Sequence, residues 1–155
     1  MTPAILFLEK NNASFIQHQY DCTTQDDFGA HAAQQLRVPL GQVFKTLLTE
    51  GEQGAVVALV PSSGKVNLKR LAKAAGVKRL EMMPPAKAER LTGYKVGGIS
   101  PFAQKKRLIT VLDASARDYP FVLVSGGKRG LSVGLAPGEL LTLLDAREAD
   151  IAEQD

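Results

Sequence analysis

"QVFKTLLTEGEQGAVVALVP", residues 42–61, is the stretch on which the fold of this chain turns. Its two halves, "QVFKTLLTE" and "GAVVALVP", are strand-length apolar runs separated by a short polar turn that holds Gly51 and Gly54. Alternation along the first run puts Val43, Lys45 and Leu47 on one face and Phe44, Thr46 and Leu48 on the other. A lysine in the middle of an apolar strand must snorkel, pair or point into a pocket. Protection of a sheet edge is one use for Lys45. The other is a cation that reaches an anionic or carbonyl group of a ligand.

Elements of both kinds surround this pair. Towards the N-terminus, a helix is predicted from Pro3 to Lys10, then a strand in "SFIQHQY". Asp26 or Asp27 is placed to cap a helix "FGAHAAQQL", which stops before "RVPLG". Beyond residue 61, "SSGKVN" returns the chain to the surface, and Asn67 caps a helix "LKRLAKAAG" that Gly76 closes. "PPAKAERLTG" reads as a short helix entered through prolines, and "LITVLD" as a strand. "FVLVSGG" and "LSVGL" read as paired strands across "GGKRG", and "PGELLTLLDA" as a last helix. Helices and strands intermix without a regular βαβ period. The expected class is α+β, one compact domain over residues 1–155, with a mixed, largely antiparallel central sheet and surrounding helices.

Composition narrows the function. At 45% apolar and 23% charged residues this is globular material, and no apolar run reaches membrane-spanning length. "MTPAILFLEKNN" reads as a helix and not as a leader, so the cytoplasm is the expected compartment. One cysteine, Cys22, cannot form an internal disulfide, and His18 and His31 lie apart, so no metal or cofactor is expected. No basic partner is fixed beside Cys22 by the sequence, which favours a plain thiol over a nucleophile. His18 alternates with Tyr20 on its strand and reads as structural.

The charge is uneven. Residues 65–129 hold 15 basic and 4 acidic side chains, whereas residues 1–64 hold 3 and 6 and residues 130–155 hold 1 and 6. A field of this kind attracts a polyanion. Zinc-finger, RNP, Walker A and Rossmann signatures are all missing.

Two glycine-rich stretches accompany that field. In "KVGGISPFAQKK", residues 95–106, Gly97 and Gly98 permit close approach of the main chain, while Pro101 restricts itself and Ser100. Bare amides in such a loop hold an oxyanion or a phosphate. "SGGKRG", residues 125–130, repeats the theme with Lys128 and Arg129 attached; a tight hairpin turn is its plainer reading. Together these features point to a small cleft beside a polyanion-binding surface, without an acid–base pair.

Three stretches in order, "VFKTLL", "TGYKVGGISPFAQKKRL" and "VSGGKRGL", resemble the YbaK/ProX family of editing domains that act on mischarged tRNA, and the likeness runs over nearly the whole chain. The resemblance implies an α+β fold with a cleft over a mixed sheet, and Lys45 positioning the aminoacyl-tRNA end. Gly97, Gly98, Ile99, Ser100 and Pro101 would form the family's GxxxP loop, whose main chain holds the ester near its carbonyl. Tyr20, Phe28 and Thr46 would line the pocket, with Ser125 and Gly126 at its far side. Ser132 stands where better-known members carry an aspartate, a departure that removes any charge-dependent role there. Lys105, Lys106, Arg107, Lys128 and Arg129 are the expected tRNA contacts.

The activity so implied is deacylation of Cys-tRNA(Pro), and of Cys-tRNA(Cys), with prolyl-tRNA synthetase as a partner. The substrate's own thiol would attack its ester carbonyl, which explains a site without an enzymic nucleophile. Orienting an intramolecular attack contributes roughly 7–11 kcal/mol to lowering such a barrier. Relatives on the same scaffold clear alanine from tRNA(Pro), and the sequence separates the two poorly. A non-catalytic RNA- or synthetase-binding module is the alternative from another class. Lys45 on the opposite face of the sheet from Gly97 to Pro101 would favour that module.

Overall fold

A computed structural model describes residues 1–24 and 26–154 of the chain. The elements run α1 (Pro3–Lys10), β1 (Ile16–Gln19), α2 (Phe28–Leu36), β2 (Phe44–Gly51), β3 (Gly54–Pro61), β4 (Gly64–Val66) and α3 (Leu68–Ala75). There follow β5 (Glu81–Met82), α4 (Pro85–Thr92), β6 (Ile109–Asp113), β7 (Val122–Lys128), β8 (Leu131–Leu135), α5 (Pro137–Leu144), β9 (Arg147–Ala149) and β10 (Ala152–Gln154). The class is the expected α+β, with mostly antiparallel strands and helices around them.

The strands fall into more than one sheet. The largest has the order β5-β2-β3-β6-β9; β2 is antiparallel to both neighbours, while β3–β6 and β6–β9 are parallel. A second, antiparallel sheet has the order β1-β8-β7, and β10 pairs with β4. Among the described residues the two larger sheets meet at one parallel bridge, Val43 to Leu123, and part beyond it without further pairing of β2 with β7. That divergence positions the site. The strands β4, β5, β9 and β10 went unread in the sequence because two or three residues show no alternation.

Local signals account for most of the helices. Pro3 opens α1, and the Thr2 hydroxyl accepts from the Ile5 amide at 3.2 Å while donating to the Gly126 carbonyl, which ties α1 to β7. Asn67 caps α3 through the Arg70 amide at 3.0 Å, and Gly76 ends it with φ 77°. The start of α2 departs from expectation. Asp27 occupies the cap position, but in a left-handed conformation (φ 48°, ψ 51°), and its carboxylate caps nothing.

Two apolar clusters hold the layers together. Ala4, Ile5 and Leu8 of α1 and Leu140 of α5 bury against Phe102, Val122, Val124, Val133 and Leu135. On the far side of the larger sheet, Leu71, Ala72 and Ala75 of α3 cover Val56, Ala58, Val60 and Val111. Each fully buried leucine here stabilises the fold by about 1.5–3 kcal/mol.

Candidate active site

The divergence of β2 from β7 leaves a strand edge open. On its outer side β2 pairs with β5 only at Thr49 and Glu50, and the Met83 amide donates to the Leu48 carbonyl at 3.1 Å. Between that point and the Val43–Leu123 bridge lies a cavity of about 390 Å³, walled by both faces of β2 from Val43 to Leu48. The first turn of α2, Val96, Gly97 and Ile99, residues of the segment from Met82 to Ala88, and residues of β7 and β8 contribute most of the rest of its wall.

The alternation of β2 assigns its side chains to two lobes. Val43 and Leu123 pack with Ala32 and Ala33 of α2. Lys45 and Ser125, two residues on from each, share that face. Phe44 and Leu48 face the other way, where Ile99 packs against both of their clusters. Lys45 and Ile99 therefore do leave on opposite faces, as the binding-module reading asks. The open edge of β2 nevertheless joins the two faces in one cavity, lined by both residues. Among the described residues, Lys45 forms no ion pair.

Residues 95–101 present less main chain than the sequence implied. Gly97 has φ 89°, and a Cβ on it would lie 2.8 Å from the Phe28 ring and from Arg129 Nε, so only glycine fits. A Cβ on Gly98 would come within 2.7 Å of Lys128 Cα, which packs the loop on the β7–β8 turn. The Gly98 amide donates to the Lys95 carbonyl at 2.8 Å, and the Val96 amide to the Glu89 carboxylate at 2.8 Å. Gly97 and Ile99 keep amides that donate to no protein acceptor among the described residues, and both line the cavity. Gly98, Ser100 and Pro101 lie behind the wall. Ser100 is wholly buried and accepts the Phe102 amide at 3.3 Å.

The remaining pocket residues converge. Tyr20, Phe28, Thr46, Ser125 and Ser132 all reach the wall, whereas Gly126 is buried against Leu131 and does not. Burial pushes the Tyr20 phenol above its ordinary pKa of 10.0, and the Ser132 hydroxyl beside it pulls the other way. Tyr20 is thus a neutral hydrogen-bonding group at physiological pH. Ser125 and Ser132 sit opposite each other on β7 and β8, and the Ser125 hydroxyl accepts the Gly127 amide at 3.1 Å. Thr46 Oγ1 and Ser62 Oγ are buried in the wall without a hydrogen-bond partner among the described residues, an arrangement that costs free energy until a polar ligand or water fills it.

Asp27 and Ser62 were missed in the sequence. Ser62 stands across from Val43, whose carbonyl accepts its amide at 2.7 Å, so register with β2 was the available signal. Asp27, exposed, adds one carboxylate to the lining, without a second carboxylate or a histidine to make an acid–base pair among the described residues of the wall.

The basic residues divide. Lys105, Lys106 and Arg107 are exposed and stand away from the wall; Arg107 lies 3.6 Å from Asp145, an ion pair exposed on both sides and worth little. Lys128 is exposed beside Gly98. Arg129 is engaged by the protein itself. Its guanidinium carbon lies 4.6 Å from the Phe28 ring centroid, and its Nε donates to the Val96 carbonyl at 3.0 Å.

Comparison with known proteins shows the family. The aminoacyl-tRNA editing domain matches residues 26–143. A protein of Enterococcus faecalis, EbsC, described as a candidate Cys-tRNA(Pro)/Cys-tRNA(Cys) deacylase, is 36% identical over 99% of this chain and 94% of its own. A crystal structure described as a candidate trans-editing enzyme for prolyl-tRNA synthetase superposes with a TM-score of 0.87 at 28% identity, covering 99% of each chain. The hypothetical protein APE2540 shares the fold, with a TM-score of 0.87 at 23% identity over 97% of this chain and 99% of its own. The chain therefore belongs to the YbaK/ProX family of aminoacyl-tRNA editing domains, deacylases that act in trans on mischarged tRNA.

Proposed function

We propose that this chain acts in the cytoplasm as a single editing domain, residues 1–155, that removes cysteine from Cys-tRNA(Pro) and from Cys-tRNA(Cys). The observation that carries the substrate is the 36% identity, over nearly the full length of both chains, with a relative described as a candidate deacylase for those two tRNAs. Likeness to the structure described as a candidate trans-editing enzyme for prolyl-tRNA synthetase supports that synthetase as a partner.

The chemistry follows from what the wall offers. Among the described residues it carries neither histidine nor cysteine, and its carboxylate, Asp27, is exposed. The substrate thiol supplies the nucleophile. Its sulfur bonds to the ester carbonyl carbon, the carbon–oxygen bond to the ribose breaks, and the thiol proton ends on the departing ribose hydroxyl. The products are a thiolactone and free tRNA. Lys45 and the amides of Gly97 and Ile99 supply positive charge and donors for the oxyanion that develops. Tyr20, Thr46, Ser125 and Ser132 offer hydroxyls to the α-amino and ribose groups, while the exposed lysines face the tRNA backbone.

The test compares tRNA(Pro) charged with cysteine, alanine or serine. Cys-tRNA(Pro) is expected to lose its amino acid fastest, since the others bring no thiol, and Cys22→Ala is expected to retain that activity. Survival of Cys-tRNA(Pro) while Ala-tRNA(Pro) is cleared would assign the chain to alanine editing instead. The binding-module reading draws on the opposite faces of Lys45 and Ile99. Tight tRNA binding without deacylation of any substrate would select it.

A further inference from the structure

We propose that Arg129 is a positioning residue for the reaction, fixing the peptide plane that carries the Gly97 amide; its catalytic meaning rests on the deacylase reading above. The sequence placed Arg129 among the expected tRNA contacts. In the fold one side chain makes three contacts. Its guanidinium carbon lies 4.6 Å over the centroid of the Phe28 ring of α2, its Nε donates to the Val96 carbonyl at 3.0 Å, and that same Nε lies 2.8 Å from where a Cβ on residue 97 would be.

The geometry of the peptide bond makes the second contact matter most. The Val96 carbonyl and the Gly97 N–H belong to one planar trans unit and point in opposite directions. Pinning the carbonyl therefore aims the amide of Gly97, a residue that lines the cavity and whose N–H donates to no protein acceptor among the described residues. Because the guanidinium is charged, it also polarises the unit and makes that N–H a better donor. Glu89 already holds the preceding Val96 amide at 2.8 Å, so the segment is anchored from α4 on one side and from the β7–β8 turn on the other. The task suits arginine. Its rigid fork donates in its plane while its face stacks on the ring, whereas a lysine ammonium does only one of the two at a time.

The experiment uses the full chain and the variants Arg129→Lys and Arg129→Gln. Steady-state deacylation is measured across a salt series, with an aminoacyl-tRNA that the wild type turns over. Hydrogen exchange of residues 94–101 is followed without substrate. For Arg129→Lys a fall in kcat of roughly tenfold is expected, with KM and salt slope close to wild type and faster exchange confined to that segment. A phosphate contact predicts the reverse: Arg129→Lys near wild type, and Arg129→Gln with raised KM, a shallower salt slope and unchanged kcat. That pattern would overturn the proposal, and so would exchange at the wild-type rate in both variants. Faster exchange with an inactive wild type would sustain the anchoring and reject the deacylase reading alone.

Discussion

Lys45 illustrates how far a single residue can be read. Its place in an apolar strand marked it, and in the fold it lines the cavity without an ion-pair partner among the described residues. Lys45→Ala is expected to lower single-turnover deacylation by on the order of a hundredfold, the scale of one lost electrostatic contact to a transition state. Circular dichroism should remain that of the wild type, since a lysine that lines the cavity fills no core volume. Lys45→Arg should recover part of the rate, because the planar fork places its charge differently. A folded Lys45→Ala protein with wild-type turnover would remove the residue from the mechanism. Thr46 and Phe28 were legible beside it through the motif. Asp27 and Ser62 were not, because each lies just beyond the end of an element, where periodicity carries no information.

Among the elements, the end of β6 does more than the strand "LITVLD" advertised. Asp113 is 3% exposed, and its Oδ1 accepts the amides of Ile151 and Ala152, each at 2.9 Å. Its Oδ2 accepts both the amide and the hydroxyl of Ser115. One carboxylate thus joins the larger sheet to the segment that carries β9 into β10. Asp113→Asn keeps the volume but turns an NH2 towards donors. Its expected cost is about 2–4 kcal/mol of stability, from lost hydrogen bonds to a charged acceptor and an unsatisfied buried group. Urea denaturation measures it, and a midpoint unchanged from wild type would show that these bonds contribute nothing net. Strand alternation was enough to place β6, but the role of its last residue depends on a partner 38 positions away.

For the molecule as a whole, the buried face of the glycine loop sets a limit in alkali. Tyr94, 4% exposed, donates to the Phe102 carbonyl at 2.6 Å, and burial pushes its phenol up to about 12, against a smaller pull from Ser100. In the unfolded chain the phenol ionises near its ordinary 10.0, so below that pH both states hold the proton and the native contribution is complete. Between pH 10 and about 12 the unfolded state alone gives the proton up, and stability falls as pH rises. Two pKa units correspond to a loss of about 2–3 kcal/mol by the upper end of that window. Chemical denaturation at pH 9 and pH 12 measures the slope. Tyr94→Phe should flatten it while lowering stability at neutral pH, and an unchanged slope would place the titration elsewhere.

What the sequence determined by itself was local: the hairpin of residues 42–61, the capped helix after Asn67, the glycine loop and the charge of residues 65–129. Each follows from neighbours a few positions apart, through alternation, capping or backbone freedom. The split between β2 and β7, the open edge that joins the two faces of β2, and the engagement of Arg129 and Arg107 were decided by tertiary structure. These depend on which distant strands pair and where they part. No local period encodes that, because burial only requires that each apolar face find a cover and does not name the segment that provides it.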